Sequence, residues 1–97
     1  MTSPQAVRDP DGGARFELGR CTATPGVLDL IQLGVIHPAL LLRRHVMGDW
    51  GEVADHDAQV NDTALADGQR LVSVYGPVWV ITEADRSVTT ILLPGEA

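Results

Sequence analysis

Residues 70–93 read RLVSVYGPVWVITEADRSVTTILL and contain three segments rich in β-branched and aromatic residues. The segments are residues 70–75, 78–82 and 87–93. Gly76 and Pro77 separate the first two, and a four-residue polar link separates the last two, both of which are typical of turns. Links this short join neighbouring antiparallel strands. The stretch therefore predicts a three-stranded antiparallel meander.

Both faces of this meander carry apolar residues. Because side chains alternate along a strand, Trp79 and Ile81 are predicted to lie on one face, and Val78 and Val80 on the other. A sheet that is apolar on both faces is either covered on both sides or has one side that awaits a partner.

Two short helices are predicted before the meander, each opened by a proline and closed by a glycine. The first begins at Thr24-Pro25, where the threonine is expected to accept orphan N–H groups, and ends at Gly34. Its apolar positions are Val27, Leu30 and Ile31. The second begins at His37-Pro38, with the histidine as a cap or turn residue, and ends at Gly48. Its apolar positions are Leu40, Leu41, Leu42, Val46 and Met47. Together they predict an αα-hairpin.

A third helix is predicted over residues 55–67, with Asp55 as N-cap and Gly68 as terminator. Its apolar positions are Ala58, Val60, Ala64 and Leu65, and its exposed face is acidic. Residues 15–21 alternate between apolar and polar and predict a short edge strand. Residues 1–14 are expected to form a flexible leader.

The predicted element order is β-α-α-α-β-β-β, which indicates one α+β domain over residues 15–97. In this arrangement the helical hairpin covers one face of the sheet. The single cysteine, Cys21, is predicted to be a small buried hydrophobe. The sequence contains neither an apolar signal core nor a membrane-spanning run, so we expect a cytoplasmic protein.

Charge makes direct nucleic-acid binding improbable. The chain has 13 acidic and seven basic residues, a net charge of -6, and all seven basic residues are arginine. Six acids and no arginine lie between Asp49 and Asp67. Such a segment repels a phosphate backbone and favours a protein partner with a basic surface.

Three blocks of the chain, RRHVMGDWGEV, QVNDTALADGQRLVSVY and VWVITEADRSVTTILLP, carry a family resemblance over residues 36–94. They resemble small proteins of plasmids and integrative elements that are labelled plasmid-related protein and have no established activity. The chain departs from that pattern by a shorter link between Tyr75 and Val78 and by its ending, LLPGEA. The resemblance implies a mobile-element setting, in which short acidic proteins interfere with host defence as anti-CRISPR or anti-restriction proteins.

Our first functional hypothesis is accordingly a non-enzymatic interaction protein that occludes its partner. The expected partner-binding residues are three acids of the third helix and three aromatic residues, namely Asp55, Asp57, Asp62, Trp50, Trp79 and Tyr75. Charge complementarity would speed the encounter, and the aromatic side chains would hold the complex. A homodimer that pairs strand edges or apolar sheet faces is an open alternative.

The second hypothesis is a small toxin-like ribonuclease or hydrolase. It would use His45 and Arg86, with hydroxyl groups from Thr89 and Thr90, to bind a phosphodiester and move its proton. No cofactor is expected.

The stretch RHVMGDWG, residues 44–51, first reads as a helix ending, because its glycine favours the left-handed conformation and Trp50 can fold back onto the helix. Asp55-His56-Asp57 offers three metal ligands, but adjacent helical residues diverge too far to chelate one ion together. His45 or Asp49 would have to complete the set, so His45, Asp49 and His56 form only a weak candidate for a metal site.

Overall fold

The computed structural model describes residues 13–97 and has the predicted α+β class, with three helices and one four-stranded sheet. The helices are α1 (Pro25–Gln32), α2 (Pro38–Val46) and α3 (Asp55–Asp67). The strands are β1 (Arg20–Ala23), β2 (Leu71–Tyr75), β3 (Val78–Thr82) and β4 (Val88–Leu92), and a 3-10 turn over Pro94–Glu96 follows. The expected leader over residues 1–14 falls almost entirely outside the described residues.

The predicted meander is confirmed. Strands β2, β3 and β4 pair in antiparallel order, and β1 joins the other side of β4 as a parallel edge strand, which gives the order β1-β4-β3-β2. The register places Tyr75 opposite Val78, and Val80 opposite Ile91. The faces also divide as expected, with Val78 and Val80 on the side that we call the inner face and Trp79 on the outer face.

The helical hairpin covers the inner face. A core of Val27, Ile36, Tyr75, Val78, Val80 and Ile91 joins α1 and the link before α2 to strands β2, β3 and β4. Burying such side chains contributes about 1.5–3 kcal/mol each. A second core contains Trp50, Ala64 and Leu71, with Phe16 packed against it, and joins α3 to the same sheet.

The N-terminal strand is displaced from its predicted position. The alternation of residues 15–19 reflects real burial, since Phe16 and Leu18 are half-buried while their neighbours are exposed. Pairing with β4 begins only after Gly19, which has φ +65° and packs against the backbone of Ser87. An alternating pattern reports which side chains are buried and not which backbone groups pair.

Neither helix is capped by the side chain that we predicted, although Thr24 does occupy the N-cap position of α1. The Thr24 hydroxyl donates to the Glu96 carboxylate at 2.5 Å instead of accepting from the helix, and that carboxylate accepts the Gly26 N–H at 3.0 Å. A residue from the far end of the chain therefore caps α1. The N-cap of α3 is Ala54, and Asp55 is its first helical residue.

The left-handed glycines end the helices as predicted, with φ of +74° at Gly34, +85° at Gly48 and +70° at Gly68. Four side chains differ from expectation, and two of them are Leu40 and Met47 of α2, which are exposed. Cys21 is exposed, because β1 lies at the sheet edge. Val60 is exposed on α3, and its neighbour Asn61 is buried in its place.

The free edge of β2 is covered by groups from the preceding segment. Asn61 donates its amide to the Val72 carbonyl at 2.8 Å and accepts the Val72 N–H at 3.1 Å. The backbone of residues 50–52 bonds to Val74 in the same way, because Gly51 is left-handed and allows the two chains to approach closely. The backbone groups of Val72 and Val74 are therefore not available to another strand.

Candidate functional site

His45 lies at the centre of a hydrogen-bonded row that crosses the inner face between the two cores. Its side chain is fully buried, with 0% exposure. Nδ1 lies 2.6 Å from the Ser73 hydroxyl, and Nε2 lies 2.9 Å from the Thr82 hydroxyl. The Thr82 hydroxyl is in turn 2.7 Å from that of Thr89, which bonds the Leu18 carbonyl at 2.7 Å.

The direction of every hydrogen bond in this row follows from the Leu18 carbonyl at its end. A carbonyl only accepts, so Thr89 donates its single proton to Leu18. Thr82 must then donate to Thr89, and so it accepts from His45 Nε2. The neutral imidazole therefore carries its proton on Nε2, and Nδ1 accepts from Ser73. Each hydroxyl in the row is satisfied.

Aromatic rings enclose the imidazole on its remaining sides. Phe16 and Trp50 approach it edge-on, with ring centroids at 5.2 and 5.8 Å. Burial, helped by the nearby charge of Arg86, lowers the pKa of His45 to about 4. The ring is therefore neutral near pH 7, and at 0% exposure it offers no face to a dissolved substrate.

The residues of the hydrolase hypothesis are only partly brought together. Thr89 belongs to the buried row, whereas Thr90 lies on the outer face, where its hydroxyl is 3.0 Å from that of Thr22. The Arg86 guanidinium donates to three carbonyls, those of Gln69, Glu83 and Ala64. It thus closes the C-terminal end of α3 and holds the hairpin link. Both ring nitrogens of His45 have a protein partner, and so do both guanidinium NH2 groups of Arg86.

The other arginines are directed to separate acceptors. Arg44 forms an ion pair with Asp49 at 2.7 Å and places its guanidinium 4.5 Å above the ring of Tyr75. The Arg44 hydrogen bond holds the pKa of Asp49 below its usual range. Arg70 faces Glu83 at 3.6 Å, and Arg43 is exposed on α2. These side chains and Arg86 do not form one cationic groove beside His45.

The three residues of the weak metal hypothesis have different surroundings. His45 is buried with both nitrogens bonded, Asp49 accepts from Arg44 and from the Gly51 N–H, and His56 is exposed on α3. Within residues 13–97 the structure contains no group of three or more histidine, cysteine or acidic side chains arranged to hold a metal ion.

The six predicted partner-binding residues divide between surface and core. Asp55, Asp57 and Asp62 are exposed along α3 as expected. Trp50 and Tyr75, in contrast, are core residues. The Trp50 indole donates to Asp62 at 3.0 Å, and the Tyr75 hydroxyl donates to the Asp49 carbonyl. Their polar atoms are satisfied inside the molecule, so neither presents its ring as part of a docking surface.

Trp79 is the predicted aromatic residue that stays accessible. It is half-buried on the outer face of the sheet and belongs to neither core. It pairs across the sheet with Val74 of β2 and with Leu92 of β4. Val74 is half-buried like Trp79, whereas Leu92 is buried, so Val74 and Trp79 form the accessible part of this apolar surface.

A groove of about 480 Å³ lies where this surface meets α3. Its apolar lining includes Val60, Val72, Val74 and Trp79. Its polar lining includes Glu52, Asp57, Asn61 and Arg70. We call it the outer groove. Sequence analysis missed Glu52, Val72 and Val74. The alternation of β2 puts the two valines on one face, and the register of the hairpin shows that this is the face of Trp79.

No protein-family model, curated protein or solved structure matches the chain. Among residues 13–97, no helix combines the length and the apolar character that crossing a membrane requires. The outer groove and the exposed acids of α3 are the features of the described residues that bear on function.

Proposed function

We propose that the protein is a small acidic interaction protein of a mobile genetic element that occludes a basic surface on a partner protein. The outer groove is the observation that carries this proposal. Trp79, Val72 and Val74 contribute its apolar lining from the sheet, and the carboxylates of Glu52 and Asp57 belong to its polar lining. Such a groove fits a segment in which an apolar side chain is flanked by arginine or lysine.

The charge of α3 supports a basic partner. Asp55, Asp57, Asp62 and Asp67 follow one another along the helix without an intervening arginine. Arg44 and Arg70 are engaged with Asp49 and Glu83, so their charges are locally balanced. An acidic surface of this kind attracts a positively charged partner and speeds association, while the apolar contact slows dissociation.

The mobile-element setting implied by the resemblance narrows the class of partner. Host defence complexes of the CRISPR and restriction types bind nucleic acid through basic clefts, and a protein with an acidic face can occupy such a cleft in place of the nucleic acid. We therefore propose inhibition of a defence nucleoprotein complex as the role of the outer groove and α3. The proposed setting for this activity is the cytoplasm.

A cell-based assay tests this role. The full chain is expressed in bacteria that carry an active CRISPR or restriction system, and the plating of a targeted phage is measured. The wild-type chain is expected to raise plating, and Trp79→Ala to reduce that effect strongly, because removing an aromatic anchor weakens binding by roughly tenfold or more. Glu17→Gln, which changes an exposed acid away from the groove, is the matched control.

Binding to the purified defence complex gives the mechanism. Glu52→Gln combined with Asp57→Asn is expected to slow association and to reduce its dependence on salt, with a smaller effect on dissociation. Trp79→Ala is expected to speed dissociation. If the wild-type chain leaves plating unchanged against every CRISPR and restriction system tested, the anti-defence role is wrong. If it acts equally well without Trp79 and the two carboxylates, the outer groove is not its docking surface.

A further inference from the structure

The outer groove follows strand β2 and carries a different charge at each of its ends. Arg70, Val72 and Val74 line it from this part of the chain. Alternate residues of an extended chain share a face and lie about 6.6 Å apart, so the Cα atoms of Arg70 and Val74 are separated by about 13 Å. Trp79 is the partner of Val74 on β3. The groove therefore has an apolar middle and two distinct ends.

Glu52 and Asp57 form the acidic end of the groove. The Glu52 N–H donates to the Val74 carbonyl at 2.8 Å, and the Glu52 carboxylate accepts the Gly76 N–H at 2.8 Å. Glu52 thus lies at the C-terminal end of β2. Helix α3 begins soon after Glu52 and contacts β2 through Asn61, so Asp57, about one helical turn before Asn61, lies toward the same end. Asp57 has no hydrogen bond or ion pair with any other described residue, and its carboxylate is free to bind a cation.

Arg70 stands at the opposite end and is the only basic residue in the described lining of the groove. Its side chain is 58% exposed, and its Nε lies 3.6 Å from Glu83, which is too far for a hydrogen bond. Its two NH2 groups bond no other residue of 13–97. Arg44, which acts on Glu52 at the acidic end, is already held by Asp49 at 2.7 Å. Arg70 is therefore the arginine of this surface that can receive a carboxylate in a bidentate pair.

We propose that the outer groove binds an extended partner segment that carries a basic, an apolar and an acidic side chain at alternate positions. The basic side chain pairs with Glu52 and Asp57, the apolar one contacts Trp79, and the carboxylate pairs with Arg70. This inference rests on the proposed function, because it specifies the partner of the same groove. Alternate side chains of an extended segment share a face at about 6.6 Å spacing, which matches the spacing of the groove along β2.

Arg70 is the residue that determines specificity in this arrangement. It attracts an acidic side chain at its own end of the groove and repels a second basic side chain there. A uniformly basic segment is thus disfavoured, even though the chain as a whole is acidic. The position of the charges fixes which end of the partner segment lies beside α3.

NMR titration of the nitrogen-15-labelled full chain with synthetic peptides tests the proposal. The probe is acetyl-Arg-Thr-Leu-Thr-Glu-amide, and in two comparison peptides its glutamate is replaced by glutamine or by lysine. The probe is expected to shift the indole N–H signal of Trp79 and not that of Trp50, which is bonded to Asp62 in the core. We expect the glutamine peptide to bind about threefold more weakly than the probe, since an exposed ion pair is lost. The lysine peptide should bind more weakly still.

Variants at Arg70 assign the preference to one side chain. Arg70→Gln should bind the glutamate and glutamine peptides equally, and Arg70→Glu should prefer the lysine peptide over the glutamate peptide. Arg43→Gln is the matched control, because it removes an exposed arginine of α2 that does not line the groove. It should keep the threefold preference of the wild type. Thermal unfolding of each variant verifies that it is folded.

The proposal is overturned if the three peptides bind equally or if none of them shifts the Trp79 indole signal. A glutamate preference that survives in Arg70→Gln, or that is lost in Arg43→Gln, also overturns it. Equal binding of the peptides together with protection of phage would leave the anti-defence role standing without a preferred charge order. The expected peptide preferences together with unchanged plating would instead support the charge order and refute the anti-defence role.

Discussion

Acidification from pH 7 to pH 5 should destabilise this protein through His45. Burial lowers the pKa of its imidazole from the ordinary 6.5 to about 4. In the unfolded chain the same ring binds a proton near pH 6.5. Between these two values the unfolded state binds more protons than the folded state, so stability falls as the pH falls. The full contribution is present above about pH 6.5.

The size of the effect follows from the two pKa values. One pKa unit corresponds to about 1.4 kcal/mol. The whole difference for His45 therefore amounts to about 3 kcal/mol, of which about 2 kcal/mol is lost between pH 7 and pH 5. The pKa values of Asp49 and Glu96 are lowered, so their contributions are lost mainly below this window. The interval from pH 7 to pH 5 thus isolates the imidazole.

Urea unfolding at pH 7, 6 and 5, followed by tryptophan fluorescence, measures the loss. His45→Gln removes the titrating group while its amide can still donate to Thr82, and its free energy of unfolding should vary about 2 kcal/mol less over this range than that of the wild type. His56→Gln changes an exposed histidine and should keep the wild-type slope.

Equal pH slopes for wild type and His45→Gln would refute the reasoning. If His45→Gln does not fold, nitrogen NMR of the wild type decides the matter. The His45 ring should remain neutral at pH 5.5, with its proton on Nε2. A His45 ring that is protonated at pH 5.5, or that carries its proton on Nδ1, would contradict the geometry of the buried row.

Three further substitutions test the contacts that close the fold. Asn61→Ala should lower the free energy of unfolding by about 2 kcal/mol in urea titrations, because it removes both hydrogen bonds that cover the β2 edge. Gly51→Ala should lower it by at least about 2 kcal/mol, since a Cβ there meets the Val74 carbonyl in a left-handed backbone. The Glu96 carboxylate accepts a hydrogen bond from the Gly26 N–H. Glu96→Gln removes its negative charge and should therefore make hydrogen exchange at the Gly26 amide faster than in the wild type at neutral pH.

The architecture was predictable because its signals are local. Proline at the start of α1 and α2, glycine after each helix and alternating strands joined by short links all lie within a few residues of what they determine. The helical hairpin and the antiparallel meander follow from these signals alone. The displaced β1 was not predictable in this way, since its pairing depends on β4, which lies 68 residues further along the chain.

The buried row was missed because its members are far apart in sequence. His45 bonds residues that follow it by 28 and 37 positions. A usable signal did exist. Ser73, Thr82 and Thr89 occupy inward positions on three neighbouring strands, and buried hydroxyls need partners. Their alignment indicates that a polar side chain must reach the inner face from a helix, and α2 offers His45.

The aromatic residues show why composition alone misplaces a docking surface. Trp50, Tyr75 and Trp79 have equal capacity to anchor a partner or to fill a core, and only the packing distinguishes them. The fold satisfies the polar atoms of the first two through Asp62 and the Asp49 carbonyl. Trp79 is different, because it lies on the face that the helical hairpin leaves open.

The electrostatic part of the hypothesis is therefore separate from its aromatic part. Asp55 and Asp57 remain exposed in the first turn of α3, where the helix dipole favours negative charge, whichever ring binds. Of the three aromatic residues predicted to anchor a partner, however, only Trp79 remains a candidate. Trp79 and Asp57 line the same groove. A partner that uses both must bring its positive charge and its apolar side chain to one side of the sheet.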